Sequence, residues 1–275
     1  MKHNTTILAL ASLATMALLS GCVAADGDTQ VDKEQNLATD SSELGAIDDA
    51  QSAEAAPRNV RSVQKNADGT FTESIYTPAE GVTPEELATK LTAEGVPDVT
   101  LDDPKPPPGV APCSYGTSRT WATDTTCFAR WSTRGQPRPA IFFRDRSTAA
   151  WPVGRAVAKW NEVSGIDSRY FAFSQGCAAG GHCVIIYNAA YGATGWTGMT
   201  TRTLNAAKTY IAGAYIQLNE SYGGTTAQRW NTACHEIGHV LGLDHNTSTN
   251  SCLYGSRTSV TAPSSQDFAL LERYY

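Results

Sequence analysis

The stretch HEIGHVLGLDH, His235 to His245, restricts the fold more than any other part of the chain, and it holds three of the five histidines. His235 and His239 are four apart, a spacing that puts two side chains on one face of an α-helix. Both imidazoles can then reach one metal ion. Glu236 sits one step round the helix, within reach of a water on that ion. Gly242 allows a sharp turn in the left-handed conformation, which would end the helix and bring His245 back as a third ligand. Three protein ligands leave a fourth position for water, the arrangement of catalytic rather than structural zinc. The full pattern, H-E-x-x-H-x-x-G-x-x-H, is more specific than its first five residues, because it also fixes Gly242 and His245.

Around this stretch the sequence predicts a mixed α+β domain. AIFFR (Ala140–Arg144) and CVIIY (Cys183–Tyr187) read as buried strands, and YIQLN (Tyr215–Asn219) as an alternating one. Val153, Val157, Trp160 and Val163 recur at helical spacing before Gly165. A second helix begins near Gln228 and carries the histidines. A third closes the chain, capped by Ser264 or Ser265.

Composition changes near residue 110. Val23–Pro112 carries 18 acidic against 6 basic side chains, and Cys113–Tyr275 carries 9 against 14. All six tryptophans fall in the second part, and Phe71 and Tyr76 are the only aromatics of the first. A segment so charged and so poor in aromatics has little with which to build a core. It closes on the stiff linker PKPPPG, Pro104–Gly109. One helix is predicted inside it, with Thr83 as N-cap, Pro84 in the first position and Glu86 in the third. The organisation read from sequence is therefore a signal peptide over 1–21, an acidic and largely disordered stalk or propeptide over 22–112, and a metal-binding domain over 113–275.

The signal is the apolar run Ile7–Leu19 behind Lys2, too short to span a bilayer comfortably. LSGC, Leu19–Cys22, resembles the lipobox of bacterial lipoproteins, which implies a lipid anchor on Cys22 and placement at the bacterial cell envelope. Six further cysteines in an exported chain suggest disulfides. Fifteen pairings are open, but the positions fall into three close couples: Cys113–Cys127, Cys177–Cys183 and Cys234–Cys252.

The extended histidine motif, the GLDH ending, the YIQLN strand before it and the closing PSSQDFALLERYY helix together resemble the metzincin metallopeptidases, in their matrixin-like branch. The resemblance runs roughly from Ala140 to Tyr275. It implies a twisted sheet of about five strands with an active-site helix and a C-terminal helix. It also implies Zn2+ on His235, His239 and His245, Glu236 as general base, and protein or peptide substrates lying antiparallel to an edge strand, here Tyr215–Asn219. One departure stands out: Leu253, in SCLYG, occupies the place of the methionine that such enzymes carry beneath the zinc. Leucine and methionine have similar volume, so an intact floor is expected. A Cys234–Cys252 bond would brace the site from both ends.

Other groups read less sharply. Tyr254 is expected to pack rather than donate to an oxyanion, Asp244 is not placed to ligate, and His182 reads as a solvated loop residue. Calcium is not expected, since Gly176–Gly213 contains no acidic residue. If the acidic segment is a propeptide, it has no cysteine to block zinc, and Asp98, Asp102 or Asp103 would have to substitute. The expectation is a monomeric, membrane-tethered zinc endopeptidase with no nucleic-acid partner. The competing expectation is a non-catalytic surface lipoprotein or adhesin that retains such a fold, against which the presence of Glu236 counts.

Overall fold

In a computed structural model the described residues are 59–102, 129–172, 174–246 and 248–275. Cys22, Cys113, Cys127, Asp103, the signal segment, the proline linker and the boundary expected at 112/113 lie outside them. Among the described residues the fold is α+β: one mixed sheet of nine strands with four α-helices. The strands are β1 Asn59–Lys65, β2 Phe71–Pro78, β3 Val99–Asp102, β4 Arg130–Trp131, β5 Ala140–Asp145, β6 Asp167–Phe171, β7 His182–Ala189, β8 Trp196–Leu204 and β9 Tyr210–Asn219. The helices are α1 Pro84–Ala93, α2 Val153–Trp160, α3 Thr226–Val240 and α4 Ser265–Tyr274.

The sheet runs β3-β1-β2-β8-β9-β7-β5-β6, with β4 paired to the start of β9. Strands β6, β5, β7 and β9 are parallel, and β8 returns antiparallel to β9. The main core lies between the sheet and helices α2, α3 and α4, and is filled by Trp131, Phe143, Trp160, Ile186, Ile237 and Leu271 among others. Two indoles also anchor α3 through hydrogen bonds, Trp160 Nε1 to the Cys234 carbonyl and Trp131 Nε1 to the Val240 carbonyl, both at 2.8 Å.

Helix α1 forms as its sequence dictates. Thr83 accepts from the Glu86 amide while the Glu86 carboxylate accepts from the Thr83 amide, a reciprocal cap that satisfies two otherwise orphaned donors. Helices α3 and α4 carry the same device at Thr225/Gln228 and Ser264/Asp267. Helix α2 is shorter than the spacing predicts and stops at Trp160, leaving Val163 buried in the loop beyond.

The sheet has more strands than expected, and the excess comes from the acidic segment. Residues 59–102 are folded rather than disordered: β1, β2, β3 and α1 form an antiparallel three-stranded layer with a helix across it. Composition misled because the segment does not bury its apolar residues alone. Val60, Tyr76, Leu87 and Leu91 pack with Trp196 and Met199 of β8, so the second core is shared.

A second correction concerns the sheet edge. Tyr215–Asn219 lies in β9, flanked by β8 and β7, so it is interior. Strand β8 takes β9 on one side and β2 on the other, in antiparallel register from Phe71↔Leu204 to Pro78↔Trp196.

Candidate metal centre

The three histidines converge. Helix α3 presents His235 and His239 side by side, with their Nε2 atoms 3.0 Å apart. At its C-terminus the Gly242 amide bonds the His239 carbonyl and the Leu243 amide bonds the Gly238 carbonyl, both at 3.0 Å. This is a Schellman closure, and Gly242 at φ 103° provides the left-handed residue it needs. The turn carries His245 back against the helix, with ring centroids 4.8 Å from His235 and 5.2 Å from His239. Ligand atoms of all three lie within 4.8 Å of one another, and all three residues are buried.

Hydrogen bonding fixes which nitrogens face inward. His235 Nδ1 lies 2.9 Å from the Cys252 carbonyl, and His239 Nδ1 lies 2.8 Å from the Leu243 carbonyl. A carbonyl only accepts, so each Nδ1 carries the proton and each Nε2 presents a lone pair. Burial pushes the His235 imidazole down to about 4, against the pull of the Cys252 carbonyl. Burial, with His235 and His245 alongside, holds His239 well below its ordinary value. Neutral imidazoles whose lone pairs meet at 3.0 Å repel unless a cation lies between them. The cluster therefore suits a metal ion, with backbone carbonyls orienting two of the ligands from behind.

The floor of the site is built around Gly238, between the two helical histidines. A Cβ there would stand 2.6 Å from Leu253 Cδ2 and 2.8 Å from Trp160 Cζ2, so only glycine admits both side chains. Leu253 is wholly buried in the main core. The bond Cys234–Cys252 ties the residue before His235 to the residue before Leu253, and Cys177–Cys183 closes a second expected couple.

Glu236 is wholly buried at the centre of a web the sequence did not reveal. Thr200 Oγ1 of β8 lies 2.6 Å from Glu236 Oε2, and Thr77 Oγ1 of β2 donates to Oε1 at 2.5 Å. Burial pushes the carboxyl up to about 8, while the Thr200 and Thr77 hydroxyls pull the other way. Gly198 lies directly against it, since a Cβ there would stand 2.3 Å from Glu236 Oε1. Gly198 and Thr200 alternate with Met199, so the first two face α3 while Met199 joins the core on the opposite face.

Two further residues depart from expectation, and a third has a partner the sequence did not suggest. Asp244 Oδ1 receives Arg61 Nη2 at 3.1 Å. His182 is buried rather than solvated, with its ring centroid 4.6 Å from that of Trp131 and Nε2 2.7 Å from the Ser132 carbonyl. Asp98 is an exposed turn residue with φ 51°, so the acidic segment reaches the site through Thr77 and not through this aspartate. Tyr254 lies next to the floor and bridges Asn246 through its backbone. No protein-family model matches the chain, and no curated protein matches it either.

Proposed function

We propose that the chain is a zinc-dependent endopeptidase of the metzincin type, matrixin-like in arrangement, exported and held at the bacterial envelope through a lipid on Cys22. The observation that carries this reading is the convergence of three buried imidazoles, two of them anchored from behind by backbone carbonyls, beside a buried carboxylate. The resemblance in the motif and the α+β fold with strands β5–β9 over α3 support it.

Zinc bound there would supply Lewis acidity and a water acidified toward neutrality. His235, His239 and His245 would hold the ion, and the Cys252 and Leu243 carbonyls orient two of the rings. Glu236 takes a proton from the attacking water on a carboxylate oxygen and returns it to the leaving amine. A divalent cation bound alongside would favour the ionised base. Thr200 holds Oε2, fixing the carboxylate on the side of the cleft where β8 runs.

The test is zinc content and cleavage of an unstructured protein such as casein. The mature chain Cys22–Tyr275, before and after limited proteolysis, is set beside its Glu236→Ala variant. The expected result is chelator-sensitive cleavage that disappears in the variant while zinc is retained. Zinc bound without cleavage in any sample would move the reading to a non-catalytic surface module.

A further inference from the structure

Between strand β4 and the end of helix α4 lies a cleft of about 320 Å³ that takes no part in the metal centre. Arg130 and Arg134 line it together with Tyr210, Tyr274 and Tyr275, and among the described residues no acidic side chain does so. Arg130 lies over the Tyr210 ring, with Cζ 5.6 Å from its centroid, and its Nη1 makes one long bond, 3.4 Å, to the Tyr274 carbonyl. Arg134 spends Nη1 on the Gly181 carbonyl at 2.8 Å. Neither guanidinium forms an ion pair among the described residues, and each keeps N–H donors beyond these bonds. We propose that this cleft is a second binding site, for a small organic anion with two carboxylates on a flat body, and that its occupant stiffens the turn that carries His245.

The lining sets the chemistry of the ligand. A guanidinium fork without an acidic partner matches a carboxylate, which accepts two parallel N–H bonds from it, and here there are two such forks. The walls beside them are tyrosine rings, and Tyr210 is 40 % exposed, so the body of the ligand meets a flat apolar surface. The volume stands at the small end of ligand pockets, which suits a small molecule rather than a polymer. Arg134 also holds a backbone φ of 50°, with Gly135 following at 78°. That conformation is costly for a residue with a side chain and recurs where a ligand is clamped.

The back of the cleft leads to the metal centre. Trp131 lines it, is buried, and bonds the Val240 carbonyl through Nε1. The Tyr275 hydroxyl donates to the Leu241 carbonyl at 2.9 Å and accepts from the Trp131 amide at 3.1 Å. Val240 and Leu241 end α3 directly after His239, just before Gly242 turns the chain back to His245. Strand β4 is only Arg130–Trp131, held to the start of β9, so it is a weak hold on that helix end. An anion that ties Arg130 to Arg134 clamps the chain on both sides of Trp131 and strengthens it. The site does not depend on the peptidase reading.

The probe is isophthalate, with the uncharged isophthalamide as its isostere, titrated calorimetrically into the mature chain Cys22–Tyr275 with and without zinc. The expected result is saturable one-to-one binding of the dianion, but not of the diamide, in both metal states. Arg130→Gln and Arg134→Gln each remove one charge and should each weaken it by about ten-fold or more. Hydrogen exchange of the Gly242 and Leu243 amides, which close the end of α3, should slow about ten-fold at roughly ten times the dissociation constant. Tyr275→Phe, which keeps the ring, should still bind the probe but lose the slowing.

No saturable binding of isophthalate below about 10 mM overturns the site. Binding that needs zinc overturns it too, since the carboxylate would then sit on the ion, and so does undiminished affinity in both glutamine variants. Binding that leaves the Gly242 and Leu243 amides exchanging as before overturns the stiffening. No arm reads cleavage, so the outcome stands apart from that of the casein assay.

Discussion

Glu73 and Arg202 form an ion pair with neither side chain exposed, joining β2 to β8 above α3. Arg61 shares the carboxylate at 2.6 Å and reaches on to Asp244. Two arginines and two carboxylates thus neutralise one another in the interior, as buried charges must. Breaking such a cluster on one side leaves charge without compensation. Glu73→Ala is therefore expected to destabilise the chain by about 3–5 kcal/mol, seen as a lower denaturant midpoint. A loss under about 1 kcal/mol would place the cluster among the weak surface pairs instead.

The same carboxylate gives a pH dependence with a definite sign. Burial raises the Glu73 pKa, but Arg202 and Arg61 outweigh it and hold the group below its ordinary value. A depressed folded pKa means stability that is fully present above the unfolded carboxylate pKa, about 4.3, and is lost as pH falls through the folded value. Lys208 and Asp244 also border the cluster, and neither reverses the sign. Thermal melts of the wild type between pH 5 and 3 should fall more steeply than those of Glu73→Gln. Parallel slopes would rule the cluster out as the acid-sensitive element.

The bond between Cys234 and Cys252, 18 residues apart, closes a loop that contains the three clustered histidines. Replacing both cysteines with serine should cost about 2–4 kcal/mol in stability. It should also loosen the Cys252 carbonyl that orients His235, weakening zinc binding by roughly 10-fold or more. Competition against a chelator of known affinity measures the second effect, and an unchanged affinity would show that the carbonyl is held without the bond.

Gly238 and Leu253 should behave as a pair. Gly238→Ala drives a methyl into Leu253 and Trp160 and is expected to cost about 1–3 kcal/mol by overpacking. Leu253→Met keeps the volume and should stay within about 1.5 kcal/mol of wild type, with zinc content unaltered. A large loss in the methionine variant would mean that the floor is tuned to leucine's shape.

Gly198→Ala tests the approach of β8 to the carboxylate. The added methyl displaces Glu236 Oε1, so under the peptidase reading cleavage should fall by about 10²-fold, in line with a misplaced catalytic group. Metal content should remain, since the atoms nearest that position all belong to Glu236. Full activity in this variant would show that Glu236 reorients freely.

The metal centre was legible because its parts are local. His235, Glu236, His239, Gly242 and His245 lie on one helix and the turn after it, so spacing alone dictates their geometry. The caps at Thr83 and Ser264 were legible for the same reason. The web around Glu236 was not. Thr77 is 159 residues away and Thr200 is 36, and their contacts depend on strand pairing between distant segments. Strand β8 itself gives no alternating signal, because WTGMTTRTL is buried on both faces and mixes threonine with glycine and arginine. The acidic segment was misjudged because its charges were counted as solvated, although Arg61 and Glu73 are among its most buried residues.

The seam between β2 and β8 has one more effect, on how the molecule meets its own kind. A sheet that ends at β8 would present a long row of unsatisfied amides and carbonyls, the sort of border on which copies stack. Carried in the same chain, β2 closes that border at an effective concentration no second molecule matches. The strand that meets Glu236 thus also keeps the molecule dispersed. A chain without β2 should then be the aggregation-prone one.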